Sequence, residues 1–317
     1  MERTTEGSQT RERPPAPAAR AQRKRTRQLA AAAGLLMLCA LSAGPADAAP
    51  AGAPHPRVRP PLYVSDYGNN RVVKLPTDRS GQATLPIEGL VRPTGLTWDR
   101  AGSLYVSDTG NNRVVKLPRK GGPQSTVPTT GLSRPLGLVT DPAGDLYIAD
   151  SFNDRVVKVP ADGSGQTTVP TTGLLHPWGL ALSPRGDLYV SDFVNDRVVR
   201  VSTHGGGQTT VPTVGLSQPT GLAVNSVGDL YIADSGNDRV VRISARGGKQ
   251  NTVRVTGLDD PLGLALDCGD LYVADGLGNR VVRVRETGGG QVTLPSTGLD
   301  TPTGLAFPPD GARPGRY

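Results

Sequence analysis

Apolar and polar positions follow one pattern six times along this chain. The first copy is Leu-Tyr-Val-Ser-Asp-Tyr-Gly-Asn-Asn-Arg-Val-Val-Lys, residues 62–74, and its tyrosine returns at Tyr105, Tyr147, Tyr189, Tyr231 and Tyr272. The steps are 42, 42, 42, 42 and 41 residues. Self-similarity at such a period marks a stacked or ring-shaped repeat. Each copy contains four short strand candidates. In the third they are Pro135–Val139, Gly144–Asp150, Arg155–Val159 and Gln166–Pro170. The second and third are apolar on both faces, as befits strands sandwiched between neighbouring sheets. The fourth is rich in Thr and Gln and ends in Pro86, Pro128, Pro170, Pro212 or Pro295, with Arg254 in the remaining copy. Proline belongs on a sheet edge, which puts the fourth strand at the rim and the first at the axis.

Four-stranded units of this length are propeller blades. The ends of the chain set the blade count. The first Leu-Tyr unit has no Gly-Leu strand before it, and the last, Gly304-Leu305, has no Leu-Tyr unit after it. Circular closure repairs both ends. Residues 302–308 become the inner strand of the blade formed by 62–86, and the fold is an all-β, six-bladed propeller of antiparallel blades closed by its C-terminal strand.

Composition agrees with many short strands and tight turns: 41 Gly and 29 Pro among 317 residues, with 3 Phe and 2 Trp. The N-terminal region is of another kind. The basic run at residues 23–27, the uncharged apolar stretch Leu29–Leu41 and the small-residue exit Ala46-Asp47-Ala48 are the parts of a secretory signal over residues 1–49. Residues 50–61 read as a disordered lead-in, 62–308 as the propeller and 309–317 as a tail. Residues 1–49 hold eight Lys/Arg and four Asp/Glu, so the net charge falls from +7 to +3 without them. That balance argues against nucleic acid. The apolar stretch is too short to span a bilayer comfortably, and cleavage of the signal is expected to leave no transmembrane segment. The expected location is outside the cell or at its surface.

The phrase Leu-Tyr-[Val/Ile]-[Ser/Ala]-Asp-x-x-Asn-[Asn/Asp]-Arg-Val-Val-[Lys/Arg], preceded by Pro-x-Gly-Leu, resembles the NHL repeat across residues 62–308. It is most similar to the extracellular sensor domains of bacterial receptor Ser/Thr kinases. The resemblance implies a rigid, non-catalytic cup that binds something outside the cell. No kinase motif accompanies it.

Comparison among the six copies separates architecture from function. An Asp with an Arg five residues later recurs in every copy: Asp66 with Arg71, Asp108 with Arg113, Asp150 with Arg155, Asp192 with Arg197, Asp234 with Arg239 and Asp275 with Arg280. These pairs are read as structural brackets on the loop between the second and third strands. The residues that vary lie in those loops and in the links from one blade to the next, which emerge on the same face. There the third and fourth copies place Phe152, His176, Trp178, Phe193 and Val194, the candidate ligand site. The expected partner is an extracellular protein or an envelope glycan. An alternative keeps Trp178 as an axial plug and the Phe rings as covers over loop backbone.

Candidate chemistry is sparse. Once the signal is removed, Cys268 is the only thiol, and it belongs to a turn on the opposite face. Leu294-Pro295-Ser296-Thr297-Gly298 has the form of a cell-wall anchoring motif, but it stands in register with the blade linkers at 127 and 169. Only His55, His176 and His204 follow residue 49, too few in one place for a zinc site. No cofactor is implied. The competing functions are a lyase of the streptogramin-lyase type, with His176 paired to Asp150 or Asp192, and a scaffold joining surface proteins.

Overall fold

The computed structural model describes residues 59–76, 81–119, 122–202 and 207–309. All of them belong to the compact unit Arg57–Tyr317. The signal segment, most of the lead-in, His204 and residues 310–317 lie outside the described residues.

The described residues form six four-stranded antiparallel sheets. Blades 2 to 6 each take four consecutive strands, starting from inner strands Pro93–Trp98, Pro135–Thr140, Pro177–Leu182, Pro219–Val224 and Pro261–Asp267. Blade 1 is assembled from both ends of the domain. Its inner strand is Pro302–Ala306, and it continues with Leu62–Asp66, Arg71–Leu75 and Ala83–Thr84. Tyr63 faces Ala306 and Val64 faces Leu305 across the closing ladder. The ring is closed by backbone hydrogen bonds, with no disulfide among the described residues.

Burial falls from the middle of each blade to the rim. Second strands such as Leu146–Asp150 are buried at every residue, whereas outer strands such as Thr167–Thr168 are exposed. The apolar side chains collect in six clusters, one in each seam between neighbouring blades. Tyr105, Val114, Val127, Leu138, Ile148 and Val157 fill the seam between blades 2 and 3. Each buried Val or Leu contributes roughly 1.5–3 kcal/mol, so the seams hold the ring and no central core is needed. Close to the axis the blades meet backbone to backbone. A Cβ on Gly137 would strike the Trp178 carbonyl, and one on Gly263 the Thr303 carbonyl.

At the rim, a glutamine side chain before or at the start of each outer strand clasps the link from the preceding blade. Gln124 donates from Nε2 to the Glu88 carbonyl and accepts from the Glu88 N–H, at 2.9 and 2.8 Å. Gln82 does the same to Thr297 and so spans the closure between blades 6 and 1.

Two sequence expectations change. The outer strands are only two or three residues long, and the prolines lie beyond them. Val169 N–H makes the last ladder bond, to the Val156 carbonyl, and Pro170 follows with no donor. In the copy with Arg254 the strand ends at the same place, so the turn into the link ends it as well. The lead-in read as disordered over 50–61 is anchored at its end. Arg59 binds Asp270 at 2.5 Å and the Tyr272 hydroxyl at 3.0 Å, and this raises the guanidinium pKa further.

Candidate functional site

The loops between second and third strands, and the links between blades, meet on one face, here the upper face. Their shape is set by the repeated aspartates, which are fully buried. In every blade the arginine Nε donates to the aspartate Oδ2. Arg71 reaches Asp66, Arg113 reaches Asp108 and Arg155 reaches Asp150, each at 2.7 Å. Arg197 reaches Asp192 and Arg280 reaches Asp275 at 2.7 Å, and Arg239 reaches Asp234 at 2.6 Å.

The pair does more than the sequence reading gave it. Read as a bracket on one loop, it also ties that loop to the link from the preceding blade. The aspartate Oδ1 accepts a backbone N–H of the link approaching the inner strand, at 2.6–2.7 Å. The arginine Nη2 extends to a link glycine carbonyl. Arg113 meets Gly89 at 3.4 Å, Arg197 meets Gly173 at 2.8 Å and Arg239 meets Gly215 at 2.8 Å. Arg113 and Arg239 are each 32% exposed while Asp108 and Asp234 are wholly enclosed. The carboxylate is thus the buried hub, and the arginine covers it from the solvent side. A link 17 or 24 residues back along the chain is invisible to a motif spanning five residues, which is why the second half of the role was missed.

In blades 1 to 5 an Asn three residues after the Asp also donates to the carboxylate. Blade 6 has Gly278 there, and burial pushes the Asp275 carboxyl up against the opposing pull of the Asp259 N–H and Arg280. These carboxylates are engaged in holding loops, and the pairing of His176 with Asp150 or Asp192 is not made. Those two acids bind Arg155 and Arg197 and the backbone at Ser133 and Leu175.

A second sixfold feature lies above the first. Arg92, Arg134, His176, Gln218, Asp260 and Thr301 each precede an inner-strand proline, with φ between 49° and 57°. A left-handed backbone at a non-glycine residue is strained. Here each is held by its own N–H, which donates at 2.6–2.9 Å to an Asn or Asp in the previous blade's loop. The six side chains therefore stand in a ring around the axis, one at each blade junction.

Phe152, His176, Trp178, Phe193 and Val194 do lie on this face, but they play two different parts. Trp178 and Phe193 stack at 5.1 Å and 32°. Their positions in the repeat are those of Thr94 and Thr109, and of Thr220 and Ser235, which are hydroxyl pairs at 2.7 and 2.8 Å. The two rings thus replace a hydroxyl contact between an inner strand and its loop. Trp178 also lines an axial cavity of about 130 Å³ together with Thr94, Leu136, Leu262 and Thr303. Phe152 points outward, 52% exposed, with the edge of His176 at 5.0 Å and the Arg134 guanidinium over its ring at 4.7 Å. The His176 Nδ1 is enclosed without a hydrogen-bond partner.

The sequence reading missed Val91 and Leu175. They are 39% and 38% exposed; Val91 lies against Gly110 of blade 2, and Leu175 accepts the N–H of Val194, itself 41% exposed. Their signal was the position just before the left-handed residue, where the other blades carry Ser or Asp. Tyr67 was also passed over; the Arg92 guanidinium lies 6.0 Å from its ring centre.

The lower face is built of ion pairs. Lys158 meets Asp145 at 2.7 Å and lies over Tyr147, and Arg242 meets Asp229 at 2.5 Å. Burial works to raise the Asp229 pKa, but the Ala245 N–H and Arg242 outweigh it and hold the carboxyl below its ordinary value. Cys268 is exposed there, in the two-residue turn Cys268-Gly269 with φ of 48° and 80°. Among the described residues no three His, Cys, Asp or Glu are grouped to hold a metal ion, and no helix is long and apolar enough to cross a membrane.

A family model described as the virginiamycin B lyase family matches residues 60–313. Three solved structures are similar in fold. The crystal structure of a nidogen/laminin complex aligns with a TM-score of 0.70 at 22% identity, covering 77% of this chain and 97% of that one. A catalytically inactive virginiamycin B lyase from Staphylococcus aureus with quinupristin aligns at 0.60 and 18%, covering 80% and 90%. A streptogramin B lyase structure aligns at 0.63 and 18%, covering 80% and 85%. No curated protein matches the chain.

Proposed function

The chain belongs to the virginiamycin B lyase family, and from that premise we propose that it takes its ligand on the upper face of the ring. The reading the geometry supports best is an exported, non-catalytic binding or sensor module that recognises an extracellular protein or an envelope glycan. One observation carries it. Four of the seven exposed large hydrophobic side chains among the described residues, Val91, Phe152, Leu175 and Val194, crowd onto blades 2 to 4 of this face. Exposed apolar side chains gathered on one side of a ring offer a binding surface. The likeness of the repeats to NHL sensor domains supports the same role.

The experiment is a binding screen of the purified protein against secreted proteins and envelope glycans, repeated with Phe152→Ser/Val194→Ser. Both side chains are exposed, so the variant keeps its melting temperature. Affinity should fall about tenfold or more, on the order of 1.4 kcal/mol. An undiminished affinity moves the site elsewhere.

The family match favours a second reading, a lyase acting at the same face. The S. aureus lyase was solved with quinupristin, and its inactive form carries alanine in place of a histidine. His176 is the one described histidine of this chain. With Nδ1 enclosed, its Nε2 would have to take the proton. Turnover of quinupristin by the protein, abolished in His176→Ala, would establish this reading. No turnover in the unaltered protein ends it.

A further inference from the structure

A recess of about 500 Å³ lies at the junction of blades 2 and 3, where the upper face meets the rim. It is lined by Thr130, Gly131, Asn153, Arg155 and Gln166, none of which carries an apolar side chain. Three elements build it. Thr130 and Gly131 belong to the link that leaves blade 2, Asn153 and Arg155 to the loop of blade 3, and Gln166 to the rim clasp. Asn153 and Arg155 reach the Gly131 carbonyl at 2.7 and 3.4 Å, and Gln166 holds the Thr130 backbone. The recess is therefore formed before any ligand arrives, which lowers the cost of binding.

Those bonds leave part of each group's capacity unspent. Asn153 uses both amide hydrogens, on Gly131 and Asp150, and keeps its Oδ1 as an acceptor. Gln166 uses Oε1 and one hydrogen on the Thr130 backbone, both at 2.9 Å, and keeps the other hydrogen. Arg155 spends Nε on Asp150 and Nη2 on Gly131, so Nη1 has no partner among the described residues. The exposed Thr130 lends only its backbone to the clasp, and its hydroxyl is free as well. Donors and an acceptor thus line one recess, a match for hydroxyl groups, which both donate and accept. An anion gains little there, because the buried Asp150 already balances the guanidinium. Asp154, exposed and next in sequence to Asn153, works against an anion further.

The same four side-chain types meet around Thr172 and around Thr297. The other three junctions break the set, with Glu88 or Val214 in place of the threonine, or Gly278 in place of the asparagine. We propose that the three complete niches, at Thr130, Thr172 and Thr297, bind the hydroxyl groups of a repeating, uncharged glycan. Several weak niches on one rigid ring hold a polymer more tightly than its single sugar. The niches share no residue with the apolar patch of Val91, Phe152, Leu175 and Val194, and the proposal stands without that patch.

The test is biolayer interferometry of the immobilised full chain with soluble hydroxyethylcellulose, dextran and glycol chitin, and with polygalacturonate as the charged arm. At least one neutral polymer should bind, and added salt should not weaken it as it would an ionic contact. Thr130→Val/Thr172→Val/Thr297→Val removes three hydroxyls and leaves the backbone clasps intact, so the melting temperature is kept. Its affinity for the polymer should fall about tenfold or more. Val214→Thr supplies the missing hydroxyl beside Asn237, Arg239 and Gln250, and this fourth niche should tighten binding. Unchanged binding in the valine variant, binding that falls steeply with salt, or no binding of any neutral polymer overturns the proposal. Polymer binding lost in Phe152→Ser/Val194→Ser but kept in the valine variant also overturns it, and assigns the glycan to the apolar patch. Binding lost in the valine variant, with no partner sensitive to Phe152→Ser/Val194→Ser, upholds the niches and removes the patch.

Discussion

At the scale of single residues, burial and hydrogen bonds pull on buried carboxyls in opposite directions. Asp229 and Asp275 are both buried aspartates paired to arginine, yet their pKa values move in opposite directions. In Asp229 the Ala245 N–H and Arg242 overcome burial; in Asp275 burial wins, in the one loop where glycine replaces the amide donor. The consequences for stability have opposite signs. A lowered carboxyl pKa contributes stability above the ordinary carboxylate value and loses it as pH falls toward the folded-state value. Asp229→Asn should therefore be less stable than the native protein at neutral pH, with the gap narrowing on acidification through the carboxylate range. A raised pKa means that the native state keeps its proton longer, so stability is lost as pH rises through the interval. The native protein should then gain on Asp275→Asn as pH falls. Denaturant unfolding of the two variants at a series of pH values checks both, and parallel trends would show that the two carboxyls are not held differently.

At the scale of the strand and blade, close backbone approach near the axis sets the tolerance for change. The glycines of the inner strands face carbonyls of the next blade, and Gly137 has no room for a methyl group beside the Trp178 carbonyl. Because the contact is with backbone, no side-chain rotation relieves it. Gly137→Ala should cost roughly 1–3 kcal/mol through overpacking, seen as a lower denaturation midpoint at unchanged slope. Gly163→Ala makes the comparison, since a Cβ there meets nothing. Its strain comes only from a φ of 76°, so a similar loss in both would assign the effect to backbone conformation and remove the close-approach argument. The left-handed junction residues are a related case. The strain of each is offset by one N–H bond to the neighbouring blade, and this frees the side-chain type to vary from Arg to Asp around the ring.

At the scale of the whole molecule, ring closure depends on a strand from the far end of the chain. Pro302–Ala306 supplies the inner strand of blade 1 and buries Leu305 against Leu62, Val64 and Leu299. Removing residues 302–309 leaves Leu62–Asp66 with an unpaired edge and opens two seams. Calorimetry should show the single cooperative transition of the full chain replaced by a broader one at lower temperature. A synthetic 300–309 peptide should restore part of the loss. A truncated chain that melts as the full chain does would mean that the Gln82–Thr297 clasp and the Arg59–Asp270 bridge hold the ring without the strand.

The sequence by itself determined the repeat, the blade count, the closure and the face on which the variable loops emerge, because each follows from period and alternation, which are local. It also pointed to Asp150 with Arg155 and its five counterparts, since a residue present in every copy answers a need of every copy. Other features were decided only in the tertiary structure. Arg113 and Arg239 reach past their own loops to Gly89 and Gly215, a span no five-residue motif contains. Phe152 and Phe193 look alike in sequence, but one turns to solvent while the other packs on Trp178 in place of a hydroxyl pair. Val91 and Leu175 read as ordinary link residues until a left-handed neighbour turned them outward. Burial and charge pairing are properties of residues distant along the chain, and only the closed ring brings those residues together.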